Sequence, residues 1–391
     1  MDKITFCIPS KSNLQYLKTC IPSIRKNAYR DDHDIIIFVD SDEDGTVKWL
    51  EQVKDEYNLI YHVNPKLGEE LYGIGRAYDF CIEKSTTDVF MIFHADMMLG
   101  KNADLNSYKQ LKSKSVVCAT RIEPPLHPNG GEKILQDFGM YPNDFKETEF
   151  IEFIATANIA HETTEGIFAP WMMYKKDFLE ILGGHDPILH SCREDSDVFN
   201  RMLLSGFTFI QTWEGFVYHF TGRGAGSFDG DEERHNFWKQ QMMNSTKDFI
   251  RKWGQNVNHT PLMKPIVSPK YNIGIRVENC SQTLLGHLEP WCDIIYTDGN
   301  IDDYIAMEQP KTSFDLSKRL HRLTDNDKNN YDDILVEIDG NKFSQQDFTY
   351  IQKLSEIITD SGEEKLRAEL GNIVIEIFNM NTYELDLVKV K

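Results

Sequence analysis

The amino-terminal half of the chain alternates short apolar runs with polar loops and amphipathic stretches. Apolar runs occupy residues 4–8, 34–39, 58–63 and 88–98. Stretches with the spacing of an amphipathic helix lie between them, at residues 14–24, 46–57 and 76–84. Continuous apolar runs suit strands that are buried on both faces of a parallel sheet. The pattern therefore predicts a doubly wound α/β domain in which strands and helices alternate.

The carboxyl ends of these predicted strands carry the candidate chemistry. Ligands of open α/β sheets bind just beyond the carboxyl ends of strands, and we expect Pro9, Asp40, Arg76 and Asp96 to gather at that rim. His94 and Asp96 are two residues apart on one apolar run, so they should point the same way. Asp96 is a hard oxygen ligand suited to Mg²⁺ or Mn²⁺, and His94 could join it or contact a nucleotide.

These motifs resemble those of the inverting glycosyltransferases of family 2, which have the GT-A fold. The motifs that carry the resemblance are Pro9-Ser10-Lys11-Ser12-Asn13, Asp40-Ser41-Asp42, His94-Ala95-Asp96, Gly183-Gly184-His185-Asp186, Arg193-Glu194-Asp195-Ser196-Asp197 and Val217-Tyr218-His219. They occur in the family's order, and the resemblance covers about residues 3–255. It implies a mostly parallel central sheet flanked by helices.

The resemblance also implies a role for each motif. Asp195 takes the position of the family's general base, and Asp96 with His219, and His94 beside them, would hold Mn²⁺ or Mg²⁺ at the donor diphosphate. The expected donor or nucleotide contacts are Pro9, Ser10, Lys11, Asn13, Asp40, Asp42, Arg76, His94, Ala95 and Asp96. The expected sugar or acceptor contacts are Trp171, Glu194 and Arg223. Because His94 stands where the family has an acid, the metal would have one carboxylate ligand where many relatives offer two.

Several of these residues also have a purely structural interpretation. Lys11 and Arg76 are compatible with solvated surface charge, and Trp171 with a core aromatic residue. Asp195 suits the first turn of a helix through the helix dipole. A single His after an apolar run, such as His219, is commonly a hydrogen-bonded core residue.

Composition narrows the class of protein. The 391 residues carry a formal net charge of −20, which disfavours broad contact with nucleic-acid phosphates. No apolar run approaches the roughly 20 residues of a membrane helix, and the start of the chain leads directly into a core strand instead of a signal peptide. The seven Cys residues are scattered and predict neither a zinc site nor a disulfide framework. We expect a cytoplasmic protein.

The carboxy-terminal part of the chain has a different character. Predicted strands at residues 271–277, 333–338 and 372–377 and a predicted helix at 344–359 indicate a small α/β domain. The predicted division is a catalytic domain at 1–259, a linker at 260–270 and an accessory domain at 271–391. The accessory domain shows no catalytic motif, and homo-oligomerisation, acceptor recognition and buttressing are all open.

Together these features predict transfer of one sugar from a nucleoside diphosphate sugar to an acceptor hydroxyl, with inversion. The acceptor could be a glycan, a lipid, a protein or a modified nucleic-acid base. A nucleotidyltransferase is the alternative enzyme, but it would need a Gly-rich, basic first loop. A non-catalytic carbohydrate-binding or scaffold protein is the other alternative, and the joint presence of Asp96, Asp195 and His219 speaks against it.

Overall fold

A computed structural model of the chain describes residues 1–157, 163–190, 192–222, 232–323 and 333–390. Contacts divide the chain into two compact units. The first comprises Met1–Lys239, His259–Pro265 and Val390, and the second comprises Gln240–Asn258 and Ile266–Lys389. The predicted boundary at residues 260–270 differs from this division, because residues 240–253 belong to the second unit. Within the described residues, no helix is long and apolar enough to cross a membrane.

The first unit is built on a ten-stranded sheet. Its strands are β1 (Thr5–Lys11), β2 (Asp34–Ser41), β3 (Leu59–Val63), β4 (Val89–Ile92), β5 (Met97–Leu99), β6 (Ser115–Glu123), β7 (Lys133–Leu135), β8 (Thr163–Thr164), β9 (Trp171–Tyr174) and β10 (Thr208–His219). Eight strands lie in the order β3-β2-β1-β4-β9-β6-β10-β5, while β7 pairs with β6 and β8 with β10. Neighbours β3, β2, β1 and β4 are parallel, as are β6 and β10.

Helices connect these strands. They are α1 (Leu14–Asn27), α2 (Thr46–Val53), α3 (Ile74–Lys84), α4 (Ala103–Gln110), α5 (Glu147–Thr156), α6 (Lys175–Asp177), α7 (Glu194–Leu204) and α8 (Glu232–Trp253), with a 3₁₀ turn at Pro142–Asp144 and a π turn at Phe178–Leu182. The predicted alternation of strand and helix through residue 84 is confirmed. The core of this unit consists of aliphatic and aromatic side chains, many of them from the central strands. The apolar runs of these strands are buried, as strands covered on both faces require.

The first strand continues further than its sequence suggested. We expected it to end before Pro9, yet β1 runs through Pro9 and pairs it with Phe38 of β2. The backbone of Cys7 faces β4, where its carbonyl accepts from Phe93 N at 3.0 Å. Pro9 faces the same side two residues later, beyond the end of β4 at Ile92. Its missing N–H therefore breaks no ladder hydrogen bond.

The segment that carries His94 and Asp96 is a turn, which corrects the prediction of one continuous strand at 88–98. Strand β4 ends at Ile92, and Met97 N donates to His94 O at 3.2 Å, which reverses the chain into β5. Strand β5 runs antiparallel to β10, with Met97 opposite His219. The turn, and not the period of a strand, therefore brings His94 and Asp96 beside the end of β10.

The second unit has its own six-stranded sheet, in the order β13-β12-β11-β14-β16-β15. Its strands are β11 (Ile273–Glu278), β12 (Ile294–Thr297), β13 (Leu320–Arg322), β14 (Ile334–Asp339), β15 (Leu366–Leu370) and β16 (Ile373–Ile377). Its helices are α9 (Gln282–Leu288), α10 (Ile301–Glu308), α11 (Gln345–Gln352) and α12 (Leu354–Ser361), with 3₁₀ turns at Glu289–Trp291, Gln309–Lys311, Leu316–Lys318 and Glu384–Leu387. A separate apolar cluster fills this unit. The predicted small α/β architecture is confirmed, although the single helix expected at 344–359 is interrupted at Lys353.

Candidate active site

Three side chains that can bind a metal ion lie together at the carboxyl edge of the first sheet. Ligand atoms of His94, Asp96 and His219 all lie within 4.8 Å of one another, and Asp96 Oδ1 is 3.5 Å from His219 Nε2. Two atoms that each bind one ion at about 2.1 Å are roughly 3.0 to 4.2 Å apart. Only small side-chain movements separate this arrangement from a bound geometry. The structure thus brings the three predicted metal residues together.

A fourth residue, Glu123, orients His219. Its Oε1 atom lies 2.8 Å from His219 Nδ1, which leaves Nε2 directed toward Asp96. Glu123 is in turn held by Arg121 Nη1 at 2.7 Å and Lys133 Nζ at 3.1 Å. A carboxylate on the far nitrogen of a metal-binding His fixes its tautomer and raises its basicity. Glu123 therefore has the position of a residue that supports a metal ligand.

The two imidazoles differ in charge. Burial, and then the nearby positive His219, lower the pKa of His94 to about 4, so this ring is neutral at pH 7. Burial lowers the pKa of His219 as well, but Asp96 and then Glu123 outweigh it and raise that pKa to about 9. Without a metal ion, His219 is thus a cation between two carboxylates. A bound divalent cation would replace the proton on Nε2.

Replacing Glu123 tests its support of the metal site. We expect Glu123→Gln to weaken Mn²⁺ binding about 10- to 100-fold, because His219 loses its negatively charged partner. Glu132→Gln is the matched control, since Glu132 contacts Arg121 at 3.2 Å and no contact joins its carboxylate to His219 among the described residues. Calorimetric titration with Mn²⁺ compares the two variants. Equal losses in both would assign the effect to the surrounding charges instead.

A pocket of about 440 Å³ opens at the ends of β1 and β2. Its lining residues are Lys11, Ser12, Asp40, Ser41, Glu43, Gly68, Glu69, Glu70, Leu71, Glu233 and Phe237. The Lys11 ammonium lies 5.8 Å from the centre of the Phe237 ring. Two of the predicted donor contacts, Lys11 and Asp40, thus line the same pocket. Five of its lining side chains are acids, and Asp40 is one of them.

Asp40 shapes this pocket by holding a loop. Its Oδ1 accepts from Tyr72 N at 2.6 Å and from Asn64 Nδ2 at 2.9 Å, and its Oδ2 accepts from Gly73 N at 3.1 Å. Gly73 has φ +93°, and a Cβ there would lie 2.6 Å from His190 O, so the loop requires glycine at this position. Asp40 therefore connects the pocket wall to the start of α3.

The other predicted donor contacts lie around this edge. Asp42 Oδ1 accepts from Val47 N at 3.1 Å in the first turn of α2, and the Arg76 guanidinium lies 4.1 Å from the centre of the Tyr72 ring. Pro9 and Ser10 lie in β1, Asn13 immediately precedes α1, and Ala95 is buried in the turn before β5. These six residues do not line the described pocket.

Helix α7 begins with an acidic first turn that holds Glu194, Asp195 and Asp197. Asp195 is half-buried, and its Oδ1 accepts from Ser196 N at 2.6 Å. Further along, Asp197 Oδ2 accepts from Arg201 Nε at 2.7 Å, and the Arg201 guanidinium donates to the carbonyls of Leu182 and Gly184. This fully buried pair fixes the helix to the Gly-Gly turn before it, which positions the carboxylates of the first turn.

Glu194 is the unusual acid of this turn. Its Oε2 atom is buried and has no hydrogen-bond partner among the described residues. Burial, and then the negative charge of Asp195, raise the pKa of Glu194 to about 8. Near neutral pH this carboxyl exists in both its protonated and its ionised form.

The raised pKa of Glu194 has a measurable effect on stability. Between its ordinary pKa and about 8, the folded state binds the Glu194 proton more tightly than the unfolded chain does. Its contribution to the free energy of unfolding therefore falls as the pH rises through that window. We expect Glu194→Gln, which cannot ionise, to gain in unfolding temperature relative to the parent between pH 5 and pH 8. Thermal melts measure this difference. If the unfolding temperatures of the variant and the parent differ by the same amount from pH 5 to pH 8, the raised pKa of Glu194 is contradicted.

The predicted sugar contact Trp171 lies in the core. Trp171 was expected to offer a ring face to a sugar, but it is only 2% exposed. It packs in the core against Phe90, Phe178 and Phe199, with ring centres 5.6 to 6.2 Å away. This prediction is wrong for the described conformation, because the apolar surface of the ring is already used in packing. Arg223 lies outside the described residues.

The sequence of β6 carries a signal that points to Glu123. Strand β6 is buried along its whole length, yet it carries Arg121 and Glu123 two residues apart. Charged residues are rarely buried unless they are paired. Two charges in a buried strand therefore indicate a polar network, and here that network reaches His219.

The first sheet and its flanking helices form an α/β domain of the GT-A type, so the predicted fold class is confirmed. The candidate metal-binding cluster of His94, Asp96 and His219 lies at the carboxyl edge of this sheet. Residues 5–182 match the family described as glycosyl transferase family 2. This match agrees with the resemblance that the motifs carry. Asp195 and His219 lie beyond the matched residues.

Several solved structures are distantly similar to this one. The structure is similar to that of GalNAc-T7 with UDP, GalNAc and Mn²⁺, at 12% identity and TM-score 0.43 over 56% of this chain and 43% of that one. It is also similar to the structure of S. aureus TarS, at 10% identity and TM-score 0.42. That similarity covers 63% of this chain and 44% of TarS. The structure of TarS residues 1–349 in complex with UDP is 12% identical to this chain, with TM-score 0.39. That similarity covers 65% of this chain and 74% of the TarS fragment. The chain thus spans less than half of the first two. No curated protein matches the chain significantly.

Proposed function

We propose that this protein transfers one sugar from a nucleoside diphosphate sugar to an acceptor hydroxyl, with inversion at the anomeric carbon. The observation that carries the proposal is the cluster of His94, Asp96 and His219 at the carboxyl edge of a sheet in a family 2 domain. The acidic first turn of α7 supplies a candidate base.

The pocket at the ends of β1 and β2 suits the nucleoside part of the donor. Five of its lining side chains are acids, Asp40, Glu43, Glu69, Glu70 and Glu233. Carboxylates accept hydrogen bonds from ribose hydroxyls and base N–H groups, but they repel a diphosphate. We therefore assign the nucleoside to this pocket and the diphosphate to the metal-binding cluster.

The ligand set favours Mn²⁺ over Mg²⁺. Asp96 supplies oxygen, whereas His94 and His219 supply imidazole nitrogen, and Mg²⁺ is usually held by oxygen ligands and water. When bound, a divalent cation would neutralise the charge that develops on the departing diphosphate. Asp96 and His219 would hold it, with His94 as the third ligand and Glu123 orienting His219.

Asp195 is the proposed general base. Its carboxylate would take the proton of the acceptor hydroxyl while the hydroxyl oxygen forms the new bond to the anomeric carbon. The bond between that carbon and the diphosphate oxygen breaks on the opposite face, which inverts the configuration. Ser196 N holds Asp195 Oδ1 at 2.6 Å, so the carboxylate is oriented before the acceptor binds.

A screen for donor hydrolysis tests this function. The full chain is incubated with UDP- and GDP-sugars in Mn²⁺, in Mg²⁺ and in EDTA, and released nucleoside diphosphate is measured. We expect release from at least one donor, faster in Mn²⁺ than in Mg²⁺ and abolished by EDTA. Proton NMR of the released sugar should show the inverted anomer first. Release with retention, or release that EDTA does not change, would contradict the proposed mechanism.

A further inference from the structure

Several buried side-chain polar atoms have no hydrogen-bond partner among the described residues, and two of them belong to neighbouring helices. These two are the hydroxyl oxygen of Tyr78, in α3, and Oε2 of Glu194, in α7. Tyr78 is only 4% exposed. Buried polar groups are nearly always hydrogen-bonded, and leaving one unpaired destabilises the folded state. Both lie where α3 packs against α7, and two unpaired groups in one place point to a ligand as the missing partner.

The packing of α3 against α7 brings these groups toward each other. A Cβ on Gly75 would lie 3.4 Å from Glu194 Cβ and 3.0 Å from His185 Cβ, so α3 approaches both residues closely at this glycine. Tyr78 follows Gly75 by one helical turn and shares its helix face. The Tyr78 ring also stacks on His185, with ring centres 6.0 Å apart. His185 is fixed in turn by Asp79 Oδ1, 2.6 Å from its Nδ1.

Electrostatics connects the pair to the metal-binding cluster. Burial, then Glu194, then Asp96, raise the pKa of the Tyr78 hydroxyl well above its ordinary value. Tyr78 is therefore protonated at neutral pH and lies within electrostatic range of both carboxylates.

The chemistry of the pair matches one kind of ligand group. A phenol O–H donates a hydrogen bond, and an ionised carboxylate accepts one. A sugar hydroxyl can accept from the first and donate to the second at the same time. We propose that the Tyr78 hydroxyl and the Glu194 carboxyl bind one hydroxyl of the transferred sugar, which makes Tyr78 a specificity-determining residue. This inference rests on the proposed function.

The substitution Tyr78→Phe tests the pair, because it removes only the hydroxyl. In the parent that hydroxyl is buried without a partner, so its removal should leave the unfolding temperature equal or higher. Tyr218→Phe is the contrast. The Tyr218 hydroxyl donates to Gly139 O at 2.6 Å and accepts from Phe138 N at 3.2 Å, so its removal should lower the unfolding temperature.

The ligand test uses calorimetry in Mn²⁺ with UDP-glucose, UDP-N-acetylglucosamine and GDP-mannose, each beside UDP or GDP alone. For the donor that the parent binds, we expect Tyr78→Phe to weaken the nucleotide sugar about 10-fold. The affinity for the bare nucleoside diphosphate should stay within twofold. Glu194→Gln should show the same sugar-specific loss.

Three outcomes overturn the inference, and they are distinguishable from one another. If the parent binds none of these ligands, the proposed function and the sugar contact fail together. If the parent binds a nucleotide sugar and Tyr78→Phe binds it equally well, only the sugar contact fails. If Tyr78→Phe loses the nucleoside diphosphate equally, or melts at a lower temperature, Tyr78 has a structural role instead.

Discussion

Replacing Asp195 by Asn should lower the rate of sugar transfer by a factor of about 10² to 10⁴. The amide oxygen can still accept from Ser196 N, as Asp195 Oδ1 does at 2.6 Å, so the local geometry should persist. An amide cannot take the proton of the acceptor hydroxyl at neutral pH, and the attacking oxygen then remains a poor nucleophile. Steady-state transfer rates with the donor identified by hydrolysis measure the effect.

Binding measurements and a matched variant distinguish a loss of the base from a loss of substrate binding in Asp195→Asn. Asp195→Asn should bind Mn²⁺ and donor within a few fold of the parent, because neither contact requires its negative charge. Asp55→Asn, an exposed acid that follows α2, makes the same chemical change away from the site and should transfer at the parental rate. A transfer rate for Asp195→Asn within a few fold of the parent would rule out its role as the base.

The second large effect is expected at the metal-binding cluster. Asp96→Ala removes its only carboxylate ligand, and we expect Mn²⁺ affinity to fall by at least about 100-fold, since loss of a mere supporting residue already costs 10- to 100-fold. Donor affinity should fall with it, because the diphosphate loses its counter-charge. The main-chain bond from Phe220 N to Asp96 O, at 3.1 Å, does not depend on the side chain, so the turn should persist.

Calorimetry with and without EDTA separates the metal from other effects. The parent should bind donor much more tightly in Mn²⁺ than in EDTA, whereas Asp96→Ala should bind it weakly in both. Equal donor affinity of the parent in Mn²⁺ and in EDTA would contradict a metal site. His94 would then be explained as a contact to the nucleotide.

The fold was predictable from the sequence where one local signal dominated. Apolar runs buried on both faces, such as that of β2, predict strands directly, and the polar residues after them predict the ligand-binding edge. Asp96 was found in this way, whereas the metal-binding role of His219 came from the resemblance to the family. Their proximity depends on the antiparallel pairing of Met97 with His219, which a strand at 88–98 would not have allowed.

Other parts of the site depend on tertiary contacts that have no local pattern. Trp171 has the same composition signal whether it faces a sugar or the core, and its packing against Phe90 and Phe178 is visible only in three dimensions. Tyr78 shows no motif at all, because its importance comes from the missing hydrogen-bond partner of its hydroxyl. The division into units does not follow the predicted linker, because helix α8 contributes residues to both units.

The most direct test of the central claim is a crystal structure of the full chain grown with Mn²⁺ and UDP, with anomalous scattering recorded from manganese. We expect one strong anomalous peak bonded to Asp96 and His219, with His94 beside it and phosphate oxygens completing the coordination. The nucleoside should lie in the pocket that contains Lys11 and Asp40. A manganese peak elsewhere, or a diphosphate bound away from Asp96, would contradict the proposed active site.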